Sequence, residues 1–117
     1  MSYDPIIQLN RHIALLHLLS EAEHEASIRR GILLPMAKYL GRTLREKLWQ
    51  SKAHMKENRM WVNDIPLEER RYAYSLQGNR KVYEIEQDDL NLHIRMIQWE
   101  LDKEFYYDEH AVEHEEG

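Results

Sequence analysis

The sequence predicts a mostly α-helical fold: three to four helices around one core, with a small β-hairpin before the C-terminal helix. Three observations carry this. Leu33, Met36, Leu40, Leu44, Leu48 and Met55 recur at threes, fours and a seven, one face of a long helix. Leu90, Ile94, Ile97, Leu101 and Phe105 repeat the pattern near the end, with Met96 and Trp99 alongside. Between them the period becomes two: Tyr72, Tyr74 and Leu76 alternate with Ala73, Ser75 and Gln77.

Taken in order, Asp4-Pro5 is a helix start, with Asp as N-cap and Pro at the first helical position. Ile6, Leu9, Ile13 and Leu16 follow at threes and fours, and Leu15, Leu18 and Leu19 widen them into a broad apolar face. Ser20-Glu21-Ala22-Glu23 spells a capping box, which places the end of the first helix near Leu19 and a second helix after it. One uninterrupted helix to Arg30 is the alternative. Gly31 and Pro35 punctuate the next join, and the long helix is expected from about 34 to 58. Asn63-Asp64-Ile65-Pro66 is turn chemistry. A hairpin near 70–87 follows, with Gly78-Asn79 as its turn and Val82–Glu86 as the returning strand; Met60-Trp61-Val62 can add a third. The competing reading is helix through 67–87, because LEERR is a strong helix start. Asp88-Asp89 caps the final helix. The division expected is one domain over residues 1–105 and an acidic, frayed tail over 106–117.

The run ILLPMAKYL, then HMKENRMWV, then YAYSLQGNRKVYEIE before a capped last helix resembles a group of short, uncharacterised proteins of Bacillus-type bacteria. The resemblance spans residues 28–105. It implies helix, hairpin, helix, and no activity.

Composition excludes several classes of function. There is no cysteine, so disulfides and thiolate metal sites are out and a reducing cytoplasm is the expected compartment. The N-terminal MSYDPII lacks the basic and apolar regions of a signal peptide. No apolar run approaches the roughly 20 residues that cross a bilayer, so no membrane is expected.

Catalytic and metal signals are thin. His110-Ala-Val-Glu113-His114 matches the spelling of inverted zinc peptidases, but it stands in the acidic tail without a third ligand. His17, Glu21 and His24 share a helical face, yet a di-iron bundle needs a second Glu-x-x-His and two more carboxylates. Ser20, Ser27, Ser51 and Ser75 sit in no nucleophile-elbow context, and no glycine-rich loop could cradle a phosphate. No enzyme, cofactor, metal or small-molecule substrate is expected.

What stands out is charge. The net charge of −5 hides a segment, residues 29–59, with nine Lys or Arg against two acids, Glu46 and Glu57. Lys38, Arg42, Arg45, Lys52, Lys56 and Arg59 share the side opposite the apolar stripe, with Trp49 among them. Such a front suits a non-catalytic interaction or regulatory module. It would hold an acidic protein partner, or a second copy of the chain, with Trp49 as anchor. The alternative is a small nucleic-acid-binding regulator, its cations on phosphates and the tryptophan on a base.

Overall fold

A computed structural model describes residues 3–116, with side chains from 3 to 104. Asp4 caps α1 (Pro5–Ile28), its Oδ1 accepting from the backbone N–H of Ile6 and Ile7 at 3.0 and 3.2 Å. Pro5 at the first position loses nothing, since that N–H has no intrahelical partner. The helix then runs through Ser20 without a break, so the expected end near Leu19 is overturned in favour of the single long helix. Leu18 is buried and Leu19 and Ala22 pack against the core, so continuing the helix gains burial that a turn at Ser20 would forfeit. The chain bends back through Gly31, whose φ of +66° suits a residue without Cβ.

α2 (Leu33–Glu57) follows, close to its expected limits. Its apolar back is buried only at Ala37, Leu44, Leu48 and Met55; Leu33 and Met36 are exposed, because the first turns overhang the core. α2 leads into β1 (Met60–Val62), β2 (Arg71–Leu76) and β3 (Asn79–Glu84), an antiparallel sheet in the order β1-β2-β3. The helix reading of 67–87 fails. Glu68 instead bridges to Arg71 around Arg70, whose φ of +64° is incompatible with α-helix. The hairpin turn is Gln77-Gly78, one residue earlier than expected, with Leu76 facing Asn79. Both turn residues have positive φ, 51° and 84°, as a two-residue turn matched to strand twist requires.

α3 (Gln87–Glu116) completes the chain, so there are three helices, not four. The expectation of a frayed tail over 106–117 falls on side chains outside the described residues.

The helix at the centre is α1. Both α2 and α3 pack on it, and the two are joined to each other by the Lys47–Glu104 ion pair at 2.6 Å. Burial on more than one side explains the breadth of its apolar face: Leu9, Ile13, Ala14 and Leu15 are fully buried. The inner face of the sheet brings Met60, Val62, Tyr72 and Tyr74 into the same core, with Leu44, Leu48, Met55, Ile85, Leu90 and Ile97. Polar ties hold the outer elements to α1. Arg11 forks onto Glu100 of α3 at 2.7 and 3.3 Å, and Tyr83 donates to Asn10 Oδ1 at 2.6 Å. Among the described residues no helix is long and apolar enough to cross a membrane.

Candidate functional site: the basic front of α2 and the Trp61 corner

Helical periodicity places Lys38, Arg42, Arg45, Trp49, Lys52 and Lys56 on one face of α2, and all six are exposed. Trp49 is 70% exposed. Arg59 is exposed too, but it lies beyond the helix end, in left-handed backbone (φ 55°) at the turn into β1. It therefore leaves the line of the stripe. Two of the cations have acidic neighbours: Arg45 stands 3.9 Å from Glu23, and Lys52 bonds Asp64. Lys38, Arg42, Lys56 and Arg59 have no ion pair among the described residues.

The structure adds a residue that the stripe did not include. Trp61 lies between buried Met60 and Val62 on β1, so the pleat turns it outward, and it is 60% exposed. Period two in Met-Trp-Val was the available signal. Trp61 faces Ser75, which faces Arg80, across all three strands. Small Ala73 and Ser75 form the floor of a trough of about 730 Å³, with Trp61 on one side and Arg80, Lys81 and Val82 on the other. On its second flank Trp61 shares a concavity of about 340 Å³ with Lys52, Met55, Asp64 and Ile65. The basic helix and the outer sheet face thus meet at one tryptophan.

Behind this corner lies a buried polar chain that sequence reasoning missed. His12 of α1 is fully buried, with Nδ1 3.0 Å from Ser51 Oγ and Nε2 2.9 Å from Asp64 Oδ1. Gln8 Nε2 donates to the same Ser51 oxygen at 2.8 Å. Proton direction follows from this inventory. Ser51 Oγ accepts from Gln8 and donates its own hydrogen to His12 Nδ1; His12 Nε2–H donates to Asp64, whose other oxygen takes Lys52. Every member is satisfied with the imidazole neutral. Burial pushes the His12 imidazole below its ordinary range, against the upward pull of the Asp64 hydrogen bond and charge. Burial pushes the Asp64 carboxyl up, but hydrogen bonds from His12 and Lys52 outweigh it and leave the group below the usual carboxylate range.

Serine, histidine and aspartate are the residues of a hydrolytic triad, which makes the geometry worth testing for that role. Ser51 is mid-helix and only 6% exposed, its hydroxyl already engaged by Gln8 and His12. Neither concavity around Trp61 includes Ser51 or His12. A nucleophile needs an approach for substrate and donors aimed at the developing oxyanion. What the chain does hold is α1, α2 and the β1–β2 loop in one register.

Of the metal readings, His17 is half-buried while Glu21 and His24 face solvent, and no cluster of three or more His, Asp or Glu gathers among the described residues. The side chains of His110, Glu113 and His114 lie outside them. Comparison with family models, with curated proteins and with solved structures finds no match.

Proposed function

We propose that this chain is a non-catalytic interaction or regulatory module of the cytoplasm that captures an acidic protein partner on the basic front of α2. One observation carries the reading: a tryptophan that is 70% exposed stands midway on the helix face between Arg42 and Lys56, cations with no ion pair among the described residues. An exposed Trp among Lys and Arg is the composition of an interface hot spot, where the ring supplies burial and the charges speed encounter.

A second reading, a small nucleic-acid-binding regulator, draws support from Trp61, which stands between Lys52 on one side and Arg80 on the other. Cations beside an exposed ring can follow a phosphate backbone while a base stacks. Titration of the free domain with a fluorescent random oligonucleotide separates the two. The protein-partner reading expects no affinity below about 100 μM near 150 mM salt, where even non-specific nucleic-acid binders register. Trp49→Ala then abolishes capture of the acidic partner, and Arg42→Glu/Arg45→Glu mainly slows association. Micromolar binding that falls with salt at a log–log slope of roughly −0.9 per duplex phosphate, and is lost in the folded double Glu variant, overturns that reading in favour of nucleic acid.

A further inference from the structure

α3 carries two apolar stripes, and α1 covers one of them. Leu90, His93 and Ile97 are buried against the core, while Leu92, Met96 and Trp99 on the outer side are 47%, 49% and 63% exposed. Their spacing of four and three puts them in one line along the helix. Single exposed apolar residues are ordinary, but three large ones in register form a face suited to another helix. Charge closes the line at both ends. Asp88 and Asp89 sit in the first turn, and Lys103 lies four residues beyond Trp99, its Nζ 4.8 Å from the centre of that ring.

The order acid, Leu, Met, Trp, base spans about 22 Å of helix at 1.5 Å per residue. Turned end for end about a point between Arg95 and Met96, it is complementary to itself. Asp88 comes opposite Lys103, Leu92 opposite Trp99, and the two Met96 side chains lie together at the centre. We propose that the chain pairs with a second copy of itself through the outer face of α3, antiparallel, with Asp88–Lys103 contacts at both ends. A twofold contact needs a patch that matches itself, and this line does so in both apolar content and charge. The two Arg95 residues flank the dyad, where their like charges weaken the pairing. The proposal stands apart from the reading of α2, whose basic front belongs to another helix.

Sedimentation velocity on the full chain, from about 1 to 500 μM in roughly 150 mM salt, reads the pairing directly, since such salt leaves close charge pairs partly effective. The expected result is a concentration-dependent shift to twice the mass. Met96→Glu buries two like charges at the centre and should weaken pairing at least about tenfold. Its circular dichroism and urea midpoint should match the parent, because Met96 is half exposed. The ends have their own test. Asp88→Lys and Lys103→Glu should each weaken self-pairing, whereas an equimolar mixture of the two restores it, since each end then joins opposite charges. A chain that stays monomeric throughout, a Met96→Glu protein that pairs like the parent, or a mixture no tighter than its components would each overturn the proposal.

Discussion

His12→Ala tests whether the buried polar chain is what ties α1 to α2 and to the β1–β2 loop. The substitution removes two hydrogen bonds from a fully buried ring, to Ser51 and to Asp64. A neutral bond contributes about 1 kcal/mol and one to a carboxylate about 1.5–3 kcal/mol. A void of roughly 60 Å³ at about 24 cal/mol per Å³ adds roughly 1.5 kcal/mol if it stays dry. The expected loss is therefore about 4–5.5 kcal/mol, a large part of the stability of a domain of this size. Acidity supplies a second readout. His12 is held below its ordinary value of 6.5 when folded, so at pH values under 6.5 the unfolded chain takes up a proton that the folded chain refuses. Stability from this group is complete above 6.5 and is lost as pH falls through the lowered folded value, by up to about 1.4 kcal/mol per pH unit. Urea unfolding followed by circular dichroism at about pH 7.5 and 5.5 measures both effects, on the expectation that His12→Ala flattens the parent's slope. His93, which burial also pushes down, leaves a residual slope that His12→Ala/His93→Gln should remove. A loss under about 1 kcal/mol, or a pH slope unchanged in the double variant, would refute the account of a neutral, structural histidine.

Two further outcomes concern the fold. Leu44→Ala and Ile97→Ala, at 3% and 0% exposure on the two helices that pack against α1, should each cost about 2–5 kcal/mol by urea denaturation. Midpoints that hardly move would mean that the packed faces of α2 and α3 are misassigned. Gly78→Ala should cost about 1–2 kcal/mol through left-handed backbone alone, because its new Cβ would meet no neighbour within 4 Å. A neutral result in thermal melts would show that the hairpin turn can relax to another type.

The parts legible in the sequence were those that local chemistry decides. Asp4 with Pro5 marks the start of a helix in any context, and the stripes over 33–55 and 90–105 repeat at the helical period for several turns. The basic front of α2 was legible for the same reason: a residue's angle around a helix follows from its number alone, and Lys38, Arg42, Arg45, Trp49, Lys52 and Lys56 are all exposed. Ser20–Glu23 shows the limit of local reasoning. A capping box offers about 1 kcal/mol, less than the burial that Leu18, Leu19 and Ala22 gain by staying helical.

Tertiary structure alone decided which apolar stripes found a partner. The periodicity of Leu33 and Met36 matches that of Leu44 and Leu48, but α1 covers only the latter, and α3 has two apolar sides where the fold supplies one neighbour. Covering is a property of how many elements surround a face, which no window of sequence contains. Likewise, Ser51 and Asp64 are 39 and 52 residues from His12 along the chain, and no local pattern links the three. Each became a partner only because packing brought a buried imidazole, a mid-helix hydroxyl and a loop carboxylate within hydrogen-bond reach, where leaving any one unpaired would cost more than the bond returns.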